Sequence, residues 1–231
     1  MSLPANFGEL LAKSAREKQL LFDYQLRCRG TVIRVHRLVV GMQSPVLCTA
    51  LSGSFKEKED GFYEIKDFEA EKVIKAVDYF YTGDYQAPEN KPDNPLHTLL
   101  FHAEMSIFAD KYMIQALQSL AEVKFEKFAN SQSTKHLLYA IPLMYKLEGE
   151  SLGRLQSTVA HIVRYRMGTC PLRNVKSALA IVASESPQFF YSFFEQVWDE
   201  GTGIPRKCSC GPSVVTVTGW RCHTCKDIGV K

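Results

Sequence analysis

Strict alternation between residues 24 and 29 leaves the backbone little choice. Tyr24, Leu26 and Cys28 alternate with Gln25, Arg27 and Arg29, the period of a strand with one buried face. Gly30 is a natural turn residue, and the apolar run from Thr31 to His36 predicts the returning strand of a hairpin. Beyond it, Leu38 to Met42 and Val46 to Leu51 are too apolar for loops. Ser44-Pro45 supplies an N-cap followed by proline at the first helical position, so two short helices are expected there. Phe62 to Ile65 reads as a third strand. Val73, Ile74, Val77, Phe80 and Tyr81 then recur on one helical face until Gly83 offers a C-terminal cap. Strands followed by helices predict an α+β fold.

Three phrases in this stretch, Phe22-Asp23-Tyr24-Gln25-Leu26, Val35-His36-Arg37-Leu38-Val39-Val40 and Tyr81-Thr82-Gly83-Asp84-Tyr85, occur in fixed order around Ser44-Pro45 and Gly53-Ser54-Phe55-Lys56-Glu57. The arrangement resembles the BTB/POZ domain, a short sheet with helices that mediates protein binding. The resemblance implies an interaction module that scaffolds partners. Phe108-Ala109-Asp110-Lys111-Tyr112 is similar to the helix pair that completes such a domain. The expected organisation is an N-terminal helical segment over 1–16, the BTB/POZ domain over 17–130, a helical extension over 131–203 and a short tail over 204–231.

The same resemblance implies roles for single residues. Asp23 and Arg37 match the acidic and basic positions that line the charged pocket of many BTB dimer interfaces, which points to a homodimer; the competing reading is an ion pair within one domain that fixes the hairpin. His36 beside them reads as packed or hydrogen-bonded. Phe55-Lys56-Glu57 fits the hydrophobic-any-Glu pattern by which adaptor BTB proteins engage cullin, making a ubiquitin-ligase substrate adaptor the alternative function. Phe55 could equally close the second short helix against the core. No kelch, MATH or multi-finger module that would read a substrate is recognisable. The N-terminal apolar positions Phe7, Leu10, Leu11, Leu20 and Leu21 either pack across a dimer or cap their own domain.

Pro88, Pro92 and Pro95 with Asn90 and Asn94 rule out regular structure from Asp84 to Pro95, which is expected to be a solvated loop. From 131 to 200 every apolar segment has helical spacing: Leu137, Leu138, Ile141, Met144 and Tyr145, then Leu152, Leu155, Val159, Ile162 and Val163, then Leu172 to Val182. The last helix opens at Ser186-Pro187 and carries Phe189, Phe190, Phe193, Phe194, Val197 and Trp198, an aromatic stripe expected to be core, with an exposed partner groove as the other reading. With Ala140-Ile141-Pro142-Leu143-Met144-Tyr145, this segment is similar to the extension of fungal BTB proteins.

Seven cysteines divide into two groups. Cys28, Cys48 and Cys170 stand alone in apolar patterns, where reduced cysteine behaves as a small buried hydrophobe. Cys208, Cys210, Cys222 and Cys225 form two close pairs either side of the β-prone stretch Val214 to Thr218. A hairpin there would bring the pairs around a tetrahedral Zn2+ at about 2.3 Å, a zinc-ribbon-like structural site. Cys208-Ser209-Cys210 is one residue shorter than the usual knuckle, and a redox pair or a disulfide are the other readings. Four thiolates leave no open position, so the metal would be structural and not a Lewis acid.

Charge follows the same partition. The net charge is +3, yet Arg206, Lys207, Arg221, Lys226 and Lys231 against Asp227 place the surplus in the tail. These few charges, with Trp220 the one aromatic among them, point only weakly to a nucleic-acid-associated regulator. A glycine-rich phosphate loop, HExxH and GxSxG are all missing, and His102 with Glu104 lies in an ordinary helical pattern, so no enzyme and no small-molecule substrate is expected. Neither an apolar run of about 18 residues nor a secretory signal is visible, which places the chain in the cytoplasm or nucleus, away from membranes.

Overall fold

The computed structural model describes residues 13–52, 60–88, 95–167, 172–199, 206–208 and 211–215. Strands β1 (Tyr24–Cys28) and β2 (Thr31–Val35) form the expected antiparallel hairpin, with Tyr24 opposite Val35 and Cys28 opposite Thr31. Its two-residue turn has Arg29 at φ 46° and Gly30 at φ 83°. Positive φ at both positions matches the twist of the flanking strands, and glycine meets that demand without strain. Tyr24, Leu26 and Cys28 are buried, as the alternation requires.

Two helices, α1 (Arg37–Gln43) and α2 (Pro45–Ser52), lead from β2 towards β3 (Phe62–Glu64), which pairs with β1 in parallel. A parallel neighbour needs such a crossover, and the helices provide it. Ser44 separates them as predicted: its Oγ accepts from the Leu47 N–H at 3.1 Å and donates to the Tyr112 carbonyl at 2.6 Å. One buried hydroxyl thus caps α2 and holds it to a distant turn.

Helix α3 (Ala70–Thr82) ends at Gly83, whose φ of 69° and N–H to the Tyr79 carbonyl at 2.8 Å make the predicted left-handed cap. The buried stripe of α3 differs from the expected one. Ala76 and Tyr79 are buried with Val73, Val77, Phe80 and Tyr81, whereas Ile74 is partly exposed. Helices α4 (Pro95–Lys111) and α5 (Gln115–Ser131) follow.

The chain forms two compact units, one of Met1–Asn90 with Phe101–Val123 and one of Lys91–Leu100 with Lys124–Lys231. The core of the first gathers Leu26, Leu47, Val77, Phe80, Met105 and Phe108. Phe108 lies against Phe68 and Tyr112 at ring separations of 5.0 and 4.6 Å. Cys28 is buried and its thiol donates to the Phe68 carbonyl at 3.0 Å; burial pushes that thiol's pKa up. Two expectations fail in this unit. Cys48 is exposed on α2, which turns Leu47 and Leu51 inwards instead. Tyr85, placed in a solvated loop by its prolines and asparagines, is buried with its hydroxyl 2.8 Å from His102 Nδ1.

Burial raises the pKa of Tyr79, Tyr81, Tyr85 and Tyr112 above the ordinary phenol range. The unfolded chain releases these protons near pH 10 while the folded chain retains them, so above that point the unfolded state binds fewer protons. Stability is therefore expected to be complete below about pH 10 and to fall as pH rises further. The slope is at most about 1.4 kcal/mol per pH unit for each tyrosine that the fold keeps protonated. Phenolate absorbance at 295 nm should rise in step with loss of circular dichroism. Smooth ionisation of all ten tyrosines before any unfolding would contradict this.

In the second unit, α6 (Thr134–Met144), α7 (Leu152–Met167), α8 (Leu172–Glu185) and α9 (Gln188–Asp199) form the helical extension. Helix α6 packs on α7 and α8, and α9 on α7. The predicted apolar positions Leu137, Ile141, Leu155, Val159 and Val163 are buried. The aromatic stripe of α9 is only partly core: Phe189 is buried, but Phe194 is 51% exposed. A backbone hairpin of β4 (Arg206–Cys208) and β5 (Gly211–Val215) pairs Cys208 with Gly211. No helix among the described residues is long and apolar enough to cross a membrane.

Candidate functional site

Helix α1 carries apolar residues on more than one side, and this makes it the centre of the candidate site. Val40 is fully buried beneath it, while Leu38 and Met42, one turn apart, are 74% and 79% exposed. Residues four apart lie side by side on a helix, so these two form a continuous apolar ridge. A helix with apolar residues beyond its core face has a surplus to bury against something else.

The segment before β1 is fastened close to the start of α1. His36 Nε2 lies 2.6 Å from the Leu20 carbonyl, and Nδ1 lies 2.7 Å from the Tyr81 hydroxyl, which also accepts from the His36 backbone N–H at 2.8 Å. A carbonyl only accepts, so hydrogen on Nε2 donates to Leu20 and the Tyr81 hydroxyl donates to Nδ1. His36 is thus hydrogen-bonded, as expected, and its ring also meets Phe22 at 4.8 Å. Arg16 completes the fastening through Asp78 at 2.5 Å and over the Tyr81 ring at 5.0 Å. The segment so held presents Leu20 at 50% and Leu21 at 88% exposure, with Leu21 at φ 57°. A left-handed leucine costs roughly 1–2 kcal/mol.

Asp23 and Arg37 do meet, though not as two opposed side chains. The Asp23 carboxylate accepts from the Arg37 backbone N–H at 2.7 Å, capping the first turn of α1 where the helix dipole favours a negative charge. The Arg37 guanidinium lies 4.9 Å from the Tyr24 ring centre, and among the described residues no ion pair joins the two side chains. An ion pair across the hairpin is therefore replaced by a helix cap and a cation–π contact.

The other predicted residues separate. Phe55 and Glu57 lie outside the described residues, as do Phe7, Leu10, Leu11, Cys170, Cys210, Cys222 and Cys225. Cys208 ends β4 opposite Gly211. His102 and Glu104 have structural partners, Tyr85 for the first and Lys72 at 3.0 Å for the second. Sequence reasoning places Leu38 and Met42 in a helix but does not assign them to the surface. Their spacing of four beside a core residue at Val40 is the available signal.

The sequence profile of the BTB/POZ domain matches residues 12–128, half of the chain. Human Kelch-like protein 3 is 32% identical over 88 residues, which are 37% of this chain and 15% of that protein. Protein maternal effect lethal 26 of Caenorhabditis elegans is 27% identical over 135 residues, 56% of this chain and 32% of its own length. The chain thus spans about a seventh of the Kelch-like relative. Among solved structures, the BTB domain of zebrafish PATZ1 aligns with a TM-score of 0.43 at 11% identity, covering 55% of this chain and 98% of that one. The BTB domain of human gigaxonin aligns at 0.38 and 18% identity, covering 52% and 92%.

Proposed function

The chain belongs to the BTB/POZ domain family, and from that premise we propose that it is a protein-interaction module that self-associates as a homodimer and scaffolds partners. The observation that carries self-association is the exposed ridge of Leu38 and Met42 on a helix whose inner side is already packed. Leu20 and Leu21, fastened near the same helix through His36, extend the apolar surface. Asp23 and Arg37 act as organisers of α1 in this reading: one caps it, and the other covers Tyr24. Sedimentation at micromolar concentration should give twice the mass of the 26.1 kDa chain. A single-chain mass at high micromolar concentration would sink the proposal.

A second reading has its own support. The identity with human Kelch-like protein 3, together with the Phe55-Lys56-Glu57 pattern, favours a substrate adaptor of a cullin-based ubiquitin ligase. The chain is then expected to bind a cullin N-terminal domain at micromolar affinity or tighter, and Phe55→Ala to weaken that binding by tenfold or more. A buried phenylalanine contributes roughly 1.5–3 kcal/mol of transfer free energy, which sets that factor. Calorimetric titration of both proteins decides it. Absent binding, or equal binding by the variant, removes the adaptor reading and leaves dimerisation untouched.

The tail is assigned a structural Zn2+ held by Cys208, Cys210, Cys222 and Cys225. The spacing of the two cysteine pairs supports this reading, and Cys208 lies in β4, opposite Gly211 of β5. Residues 131–203 are read as a fungal-type extension that serves as scaffold to the domain over 17–130. Nucleic-acid binding by the basic tail is the least supported role, and the cytoplasm or nucleus is the expected compartment.

A further inference from the structure

The three-stranded sheet has the order β2-β1-β3, so among the described residues no strand covers the outer side of β2. Hydrogen bonding identifies which groups face that side. The Gln25 N–H donates to the Gly61 carbonyl at 3.2 Å, and the Arg27 carbonyl accepts from the Ile65 N–H at 2.7 Å. Residues 25 and 27 of β1 therefore turn their polar groups towards β3. Residues 24, 26 and 28 turn theirs towards β2, where they lie opposite Val35, Ile33 and Thr31. The N–H and C=O groups of Val32 and Arg34 are left pointing out of the sheet. An open row of this kind is what an added strand pairs with.

Side chains decide which strand would fit. Val32 and Arg34 share a face with their cross-strand neighbours Arg27 and Gln25. Val32 is 52% exposed, Arg34 is exposed, and Arg34 has no ion-pair partner among the described residues. Arg27 is spread over the Phe62 ring at 3.7 Å. Of the acids in or beside the sheet, Glu64 sits beyond Arg27 on β3 and lies 3.8 Å from Lys66, and Asp23, just before β1, accepts from the Arg37 N–H at 2.7 Å. The open edge is thus basic. A second copy pairing β2 with β2 about Ile33 would set two Arg34 side chains on one face roughly 7–8 Å apart, with no acid between them.

We infer that the outer edge of β2 receives an extended acidic segment of another protein as a fourth strand. The backbone of that segment pairs with Val32 and Arg34, and its carboxylates lie beside Arg34. This site is independent of the α1 ridge, so a monomeric chain would still carry it.

The probe is a fluorescein-labelled peptide of four Glu-Val repeats, titrated into the full chain by anisotropy, with backbone amide exchange followed by NMR. Binding should slow exchange at Val32 and Arg34 while Thr31 and Ile33, already bonded to β1, change little. Arg34→Glu should weaken binding at least tenfold, and a peptide N-methylated at alternate residues, with the same charge but without one hydrogen-bonding edge, should bind at least tenfold more weakly. No binding at millimolar peptide, equal binding by Arg34→Glu, or equal binding of the methylated peptide would overturn the inference. So would slow exchange at Val32 and Arg34 before peptide is added, since the edge would then be held by another part of this chain or by a second copy.

Discussion

Replacing Leu38 and Met42 together by aspartate is expected to convert the chain from dimer to monomer at micromolar concentration. The two side chains are the most exposed part of α1, at 74% and 79%. In a two-fold interface each substitution acts twice, once from each subunit. Burying a leucine or methionine contributes roughly 1.5–3 kcal/mol, so removing four such contacts costs on the order of 6 kcal/mol even at the lower figure. At about 1.4 kcal/mol per tenfold, that weakens association by about ten-thousand-fold. Charge repulsion between the new carboxylates acts in the same direction.

Thermal stability should respond far less to this pair. Neither side chain belongs to the core around Leu26, Val77 and Phe108, and exposed substitutions away from caps and buried networks usually shift stability by less than about 0.5 kcal/mol each. Val123→Asp serves as the comparison, because Val123 is also exposed, at 62%, but lies on α5. Analytical ultracentrifugation of the three proteins makes the test. An unchanged dimer in the double variant would move the interface off α1; loss of the dimer in Val123→Asp would do the same.

Features set by neighbours in sequence were the readable ones. The hairpin follows from alternation and from Gly30, the start of α2 from Ser44-Pro45, and the end of α3 from Gly83; each is a local backbone requirement that a few residues satisfy. What depends on distant packing was not readable. Polar and proline-rich neighbours point Tyr85 to solvent, but a partner for its hydroxyl at His102 allows the ring to be buried. Leu38, Val40 and Met42 look alike in a seven-residue helix, and only the position of the underlying core tells the buried one from the exposed two. Opposite charge alone pairs Asp23 with Arg37. In the fold the backbone N–H of Arg37 takes the carboxylate, and the aromatic face of Tyr24 takes the guanidinium.

The tail shows the same division. Cysteine spacing is what motivates the proposed metal, while the fold adds the pairing of β4 with β5, Cys208 opposite Gly211. Strands of three and five residues are too short to persist as an isolated hairpin, and a segment of this size has little apolar area to bury. Metal binding would then supply the folding free energy, at an apparent 10–16 kcal/mol, roughly, for small structural zinc sites at neutral pH. Chain purified without chelator is expected to carry one zinc by elemental analysis. Chelation should release it and bring the amides of Arg206 to Val215 to unprotected exchange rates, while those of Leu26 and Phe108 in the first unit stay slow. Cys222→Ser should lower zinc occupancy and show the same loss of protection without chelator. The thiolate requirement adds a pH sign: zinc should be held at neutral pH and lost as the medium is acidified, because protons compete for the sulfur ligands. A metal-free sample, or a tail whose protection is indifferent to chelation, would leave the four cysteines without a metal role.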